Sequence, residues 1–591
     1  MVESSFDNET LHVVDYFNGT LKAKNEKIIN DTFLQLVLNK SKIDISANKT
    51  TADKIRYLDK HINRENKEVK HTRFWMIFMR IVSVIIVVIC IALILIATLG
   101  DVSNIKTILI SVSSSLIPVG IIIFGLSWLV KKSYLKNKKE LQEFQSERNK
   151  EFNNAQLQLF DLKNHIYPDL TFQIFEQTYP LISFARYFSE SDYLNWANWL
   201  QDSVNSSVLY CLSGNLKTNP FIILKTKYTK MYDHIYTGSR TVMVRRVRYV
   251  NGRAESYMAA KVITATTTNP APMYWTDTKL FFKSNAAESL SFINLDEFKN
   301  EKKAEKFFKK NKSMEPMDNP EFDRYFPCKR DNEVQFRTLF SPLAQEEMIK
   351  LMKTKNDYSF EKKETLNIVS SPSFENINFN INYNQFNQYY DYELIKNDFI
   401  TSNQTFFSNI YFMFAPILVI PVYQQLTYRQ PLFEKTKQHL MAFQQHEMIA
   451  NSMYDINIFK HEQSVTDNIL KTKKIFANSL YEINEIIAYG YRTKPRTIIV
   501  TVSDFEAGVV NVPVTVIDYF SVEKSTNVIN SLVGKTTTQN NDLFQKNIEK
   551  YQSALNISAA SWRGCFLSMI YNGSKTSIND ASYKNFIKDL S

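Results

Sequence analysis

The stretch RIVSVIIVVICIALILIATLGDVSNIKTILISVSSSLIPVGIIIFGLSWLVKK, Arg80 to Lys132, decides how the rest of the chain is arranged. Between Ile81 and Leu99 there is no charged residue, and between Thr107 and Val130 there is again none. Each run is close to the ~20 apolar residues that cross a hydrocarbon core of about 30 Å. Only Asp101 to Lys106 separates them, so the pair reads as a tight transmembrane hairpin. Lys60, Arg64, Lys67, Lys70, Arg73 and Arg80 precede the first run, and Lys131, Lys132, Lys136, Lys138 and Lys139 follow the second. Short flanks rich in Lys and Arg stay in the cytoplasm. Both long flanks are therefore expected inside and the short loop outside. A solute or proton path usually leaves charged groups within the membrane, and these runs have none. Ser111, Ser113, Ser114 and Ser115, with Pro118, Gly120 and Gly125, suit close helix packing instead.

A third apolar segment, FFSNIYFMFAPILVIPV from Phe406 to Val422, has no charge but contains Pro416 and Pro421. Arg429, Lys435 and Lys437 follow it, against Lys396 and Asp398 before it, so a crossing would put the more basic flank outside. The reading preferred here is a buried or interfacial segment, with a third crossing as the other placement.

The chain has 591 residues, 44% of them hydrophobic and 22% charged, which is a globular composition with room for three or four domains. Only 12 glycines leave little material for Gly-rich nucleotide loops. The net charge of +11 suits an anionic partner. Cys90, Cys211, Cys328 and Cys565 are too far apart for a disulfide framework or a zinc knuckle and read as reduced, buried thiols. The first residues, MVESSFDNETLHVVDYF, lack the basic head and apolar core of a cleavable signal peptide.

Residues 20–72 read as polar helix, with apolar clusters at Ile28, Ile29, Phe33, Leu36 and Val37. Beyond the hairpin, Tyr134, Leu141, Phe144, Phe152, Ala155, Leu159, Leu162 and Ile166 form one helical stripe. The two are expected to pair as an antiparallel stalk. From about 205 the pattern becomes extended: TVMVRRVRYV and RAESYMAAKVITATTT flank Asn251-Gly252, a strong two-residue hairpin signal. The stretch 432–489 reads as helix, followed by a hairpin turning at Glu506 to Gly508 and further helix. The expected class is α+β: a two-helix transmembrane hairpin with a helical stalk, a mixed α+β cytoplasmic domain and a C-terminal α+β domain. The divisions are 1–74 (N-terminal cytoplasmic helical segment), 75–130 (hairpin), 131–204 (stalk), 205–400 (basic α+β domain), 401–431 (apolar interfacial or membrane segment) and 432–591 (C-terminal domain).

Candidate chemistry is thin. HEMIA at His446–Ala450 begins like a zinc-protease helix, but Ala450 stands where the second His is needed. LVGKTTT at Leu532–Thr538 ends like a phosphate loop, but Ile529 stands where its first Gly is needed. No nucleophile elbow is present. No catalytic, cofactor-binding or metal residue is assigned and no cofactor is expected. The remaining candidates are contacts to an anion or phospholipid headgroup. Arg245, Arg246, Arg248 and Arg253 lie on the basic hairpin; Lys302, Lys303, Lys306, Lys309 and Lys310 surround Phe307 and Phe308. A solvated strand face and a charged linker are the plainer readings of both.

The stretch Glu321–Met352 carries Phe322 and Phe326, a turn at Asp331, the helix start within Leu339–Leu343, and a closing strand at Thr365–Val369. These residues resemble the end of a bacterial membrane-protein family known only as domain of unknown function 3137, over roughly residues 20–372. Phe340-Ser341 stands where that family commonly has Thr-Pro. The resemblance implies fold and topology, no functional residues, and nothing beyond residue 400. The expected function is a membrane-anchored, non-enzymatic binding or scaffold protein of a bacterial inner membrane; the alternative is a subunit of an oligomeric channel or transporter. The expected partners are the bilayer, its anionic headgroups, and a protein partner or further copies of the chain; nucleic acid is not expected.

Overall fold

The computed structural model describes residues 12–41, 43–99, 106–166, 168–185, 205–250, 253–298, 300–311, 314–355, 357–375, 386, 388–425, 447, 451, 459–477, 481–531, 555–562 and 565–571. The chain is α+β and divides into two compact units. One comprises Phe33–Ile166 with Asn382–Phe399; the other comprises Met1–Thr32, Tyr167–Ile381 and Ile400–Ser591.

The described helices are α1 (Val13–Tyr16), α2 (Lys22–Gln35), α3 (Ile45–Leu99), α4 (Lys106–His165), α5 (Pro168–Thr178), α6 (Glu301–Lys310), α7 (Pro320–Tyr325), α8 (Glu333–Leu339), α9 (Pro342–Thr354), α10 (Tyr392–Leu418) and α11 (Pro421–Gln425). The helical unit is built on α3 and α4, 55 and 60 residues long. Their polar halves pair through Lys54 with Glu147 and Glu151, each at 2.9 Å, and through Arg148 with Asp59 at 3.1 Å. This is the stalk expected from the helical stripe, and Ala155, Leu159 and Leu162 are buried in it. In the apolar halves small residues bring the backbones close. Ser83 Oγ donates to Gly120 O at 3.1 Å, and Cys90 Sγ lies 3.8 Å from Ser113 O. Both helices are long and apolar enough to cross a membrane, and only 11% and 17% of their apolar windows are covered by protein.

The other unit carries strands β1 (Ile182–Phe184), β2 (Ser206–Leu216), β3 (Asn219–Val250), β4 (Arg253–Lys283), β5 (Ser291–Asn294), β6 (Cys328–Arg330), β7 (Ser359–Lys363), β8 (Leu366–Ser370), β9 (Ile469–Ala477), β10 (Tyr481–Asp504), β11 (Gly508–Ser531), β12 (Leu555–Trp562) and β13 (Cys565–Tyr571). Eight form an antiparallel sheet in the order β1-β2-β3-β4-β8-β7-β5-β6, and five form a second sheet, β13-β12-β11-β10-β9. The segment Phe406–Leu418 of α10 lies in the core against the first sheet, with Tyr411, Met413, Phe414, Ile417 and Leu418 fully buried. A helix apolar on every side needs such surroundings. Of the two placements left open by the sequence, the chain takes burial.

Glu321–Met352 is a structural stretch. Phe322, Phe326, Phe336 and Phe340 are buried against Phe292, with neighbouring ring centroids 4.7–6.4 Å apart. The predicted helix start holds: Ser341 Oγ accepts from Ala344 N at 3.4 Å, and Pro342 opens α9. The predicted closing strand at Thr365–Val369 is β8, which pairs antiparallel with β7. Cys90, Cys211 and Cys328 are free and buried.

The C-terminal reading needs correction. Helix was expected from 432 to Tyr489 and again after the second hairpin; instead Ile469–Ala477 is strand β9, Tyr481 to Tyr489 belongs to β10, and β12 and β13 follow the hairpin, while most of 432–458 lies outside the described residues. Ile483, Ile486 and Ile487 imitate helical spacing, but Tyr481–Asp504 pairs along its whole length with β11. Strand preference depends on such long-range neighbours, which local spacing does not register.

Candidate binding surface on the double ribbon

Strands β3 and β4 are 32 and 31 residues long, several times the usual strand. Their register is unbroken from Phe221↔Phe282 to Val250↔Arg253, which leaves two residues for the predicted turn. β2 parts from β3 at Tyr228, and β8 parts from β4 at Lys279. The remainder is a two-stranded ribbon reaching roughly 70 Å at about 3.3 Å per residue. Strands β10 and β11, 24 residues each, form a second ribbon closed by Asp504↔Gly508. Asp504 Oδ1 accepts from the N–H groups of Glu506 and Ala507, both at 2.9 Å, and Gly508 takes φ +71°. An Asp side chain folded onto its own turn, then a left-handed glycine, is what this three-residue loop requires.

A lone two-stranded ribbon is marginal in water. Here each ribbon covers one face of the other. Val510, Val512, Val514 and Val516 pack on Ile263 and Ala265, flanked by Tyr236, Val242, Ile498, Val500 and Val502. Gly238 sets the spacing, because a Cβ there would lie 2.2 Å from Pro513 O. Arg240 donates to Asn511 O at 2.9 Å and Asn269 to Ile517 O at 2.7 Å.

The arginines predicted as anion contacts separate into two groups. Arg246 donates to Glu506 at 2.9 Å, and Lys261 lies 2.7 Å from Glu506 and 2.9 Å from Asp504. Arg246 first and Lys261 second hold the Glu506 carboxyl below its usual range; Lys261, then the turn's N–H groups, do the same for Asp504. Arg248 pairs with Glu255 at 3.3 Å and lies over the Tyr257 ring. These arginines are engaged within the arm. Arg245 is tied only to a neutral group, Ser256 Oγ at 3.0 Å, and Arg253 is exposed beside the turn.

On the outer faces and tips stand Met243, Val247, Tyr249, Met258, Phe505 and Val509, all exposed. The ribbon edges are blunted by Pro270, Pro272, Pro495 and Pro513. A proline can stand in an unbroken ladder only where its missing N–H would point away from the partner strand. Those positions cannot donate to an added strand.

The predicted lysine cluster is helix α6. Lys302, Lys303, Lys306, Lys309 and Lys310 are exposed, and Ala304 and Phe308 are buried. Asn300 caps its start by accepting from Lys303 N at 3.1 Å. The apolar side is thus spent on the core, and the face toward water is mainly cationic, with Glu305 3.9 Å from Lys309.

Two further constellations escaped sequence reading because their members are far apart in the chain. His12 Nδ1 lies 2.8 Å from Glu347 Oε1, and Asp15 joins them within 4.8 Å. Lys350 sits among them, 2.6 Å from Asp15 and 3.2 Å from Glu347, so the chain supplies its own cation. Glu447, from the failed zinc motif, is buried and structural: it accepts from Val208 N at 3.1 Å and Thr472 N at 3.2 Å. The incomplete phosphate loop, Leu532–Thr538, lies outside the described residues.

No family model matches the chain, and neither does any curated protein or solved structure.

Proposed function

We propose that this is a membrane-anchored, non-enzymatic binding or scaffold protein, held in the bilayer by α3 and α4 and presenting the double ribbon as its binding arm. The observation that carries the reading is the bare apolar surface of the two helices, whose windows are 11% and 17% covered. Ile, Val and Leu exposed over this length have no stable place in water. The basic flanks support an orientation with both ends cytoplasmic, in a bacterial inner membrane. The arm supports binding because it is long, rigidly paired and richer in exposed apolar side chains than a solvated ribbon requires.

The test is topology in cells. In a variant freed of its four cysteines, Glu462→Cys and Asn104→Cys are each labelled with a membrane-impermeant maleimide. The expected result is labelling at 104 in intact cells and at 462 only after lysis. Extraction of the chain by alkaline carbonate, or labelling at 462 in intact cells, would overturn the proposal.

A further inference from the structure

The arm ends in two hairpin tips of unusual chemistry. Tyr249 is 79% exposed at the end of β3, Val247 precedes it on the same face, and Phe505 is 104% exposed in the β10–β11 turn. Val509 stands exposed just past that turn. Arg245 shares a face with Val247 and Tyr249; Arg253, opposite Val250 at the end of the ribbon, stands on the other face, and neither has an acidic partner among the described residues. We infer that the arm's tip docks onto an anionic lipid bilayer, with Tyr249 and Val247 entering the interface and Arg245 and Arg253, one from each face, lying among the headgroups.

Three observations select this occupant. Val247 and Tyr249 form a narrow strip on one face of a two-stranded ribbon, whereas a protein partner is ordinarily gripped in a broader, desolvated, close-packed patch. A fluid interface accepts such a tip without matching its contour, and amphipathic rings are favoured at that depth. The prolines on the ribbon edges oppose capture of a peptide as an added strand. Finally, the free charge beside the apolar groups is all positive, and cations near an anionic surface each strengthen binding roughly fivefold. The inference rests on the arm being the binding part of the protein.

The experiment uses the full chain, freed of native cysteines, in nanodiscs of neutral phosphatidylcholine. Tyr249→Cys carries an environment-sensitive NBD label, and Thr266→Cys, on the shaft of the same ribbon, is the control. Phosphatidylglycerol-rich vesicles are added, then phosphatidylcholine vesicles, then soluble polyglutamate. The expected result is a blue shift at 249 with the anionic vesicles alone and none at 266. Apparent vesicle affinity should fall at least tenfold in a Tyr249-intact, Thr266-labelled chain carrying Arg245→Glu and Arg253→Glu, read by flotation. No shift at 249, or an equal shift with polyglutamate, overturns the inference; the second outcome assigns the tip to a polyanion. Anchoring is read separately, from co-elution of the chain with disc lipid. The probe measurement runs equally on chain that elutes free of discs, so the two failures are distinguishable.

Discussion

Replacing Gly238 by alanine should loosen the arm without touching the sheet at its base. The added Cβ would sit 2.2 Å from Pro513 O and 2.9 Å from Val514 Cα and Cγ2. Two of these are backbone atoms, so no rotamer change relieves the overlap. Ordinary contact needs about 1 Å more. The ribbons must part by that distance, and a gap of this size forfeits roughly a quarter to a half of each dispersion contact it opens. The contacts at stake are those of Val510, Val512, Val514 and Val516 with Ile263 and Ala265. Overpacking of this kind costs about 1–3 kcal/mol. For amides that exchange through opening of the arm, this is a roughly five- to 150-fold acceleration. Hydrogen exchange read by mass spectrometry should show it in peptides from β10 and β11 beyond Gly490, with Phe221–Leu224 unchanged. Ser239→Ala, on the exposed side of the same strand, should leave every peptide alone. Unaltered exchange in β10 and β11 of the Gly238→Ala chain would refute this account of how the ribbons meet.

Stability should depend on pH in two opposite ways. Burial raises the Asp323 carboxyl from 3.8 to about 6, so the folded state binds its proton more tightly and stability falls as pH rises through that window. Burial lowers the Lys362 ammonium from 10.5 to about 7, so the unfolded state binds more protons above that value and stability rises with pH from about 7 to about 10. Each slope is at most about 1.4 kcal/mol per pH unit, and urea unfolding should find the first flattened in Asp323→Asn and the second in Lys362→Met. Tyr411→Phe removes the O–H that donates to Val13 O at 3.0 Å; the carbonyl keeps the Phe17 N–H, so the loss is one buried hydrogen bond, about 0.5–1.5 kcal/mol, and limited proteolysis should then reach α1 sooner. In the hairpin, Ser113→Cys should crosslink oxidatively to Cys90, whose sulfur lies 3.8 Å from Ser113 O. After cleavage in the connecting loop, the two fragments should migrate together until reduced.

Much of the fold was legible because its signals are local. Charge-free runs at 81–99 and 107–130 mark the hairpin, the stripe from Leu141 to Ile166 marks the stalk, and Ser341-Pro342 marks a helix start. The basic ribbon was legible for the same reason, through alternation on both sides of Asn251-Gly252. The second ribbon was half read. Its turn shows at Glu506 to Gly508, but the strand leading into it reads as helix because Ile483, Ile486 and Ile487 fit either period. What decides the matter is β11, whose Val510, Val512, Val514 and Val516 alternate toward Ile263 and Ala265, more than 240 residues away in sequence. The candidate site was illegible for a related reason. Arg246 looks like an available cation in the sequence, and only the folded chain brings Glu506 against it.

The pairing of the ribbons also fixes how the arm can meet a flat surface. Glu506 meets both Arg246 and Lys261, the latter in register with Val242, so the second tip ends between Val242 and Arg246 and the first runs on past it by at least the length of Val247–Val250. Tyr249 therefore leads Phe505 by at least roughly 10 Å at about 3.3 Å per residue. Interfacial insertion is about 5–10 Å deep, so an upright arm would immerse Tyr249 and leave Phe505 in water. Leaning toward the β10–β11 side would lower Phe505 but turn Val247 and Tyr249, which face away from that ribbon, out of the interface. The stagger depends in turn on close approach at Gly238, since Arg246 and Lys261 reach the acidic turn only while the shafts stay together. Probes at 249 and 505, compared by depth-dependent quenching in anionic vesicles, should always find 249 the deeper. A deeper probe at 505 would mean that the ribbons do not keep the register set by Arg246 and Glu506. The Gly238→Ala chain should lose the fixed difference between the two depths, because the contact that measures it out has been forced apart.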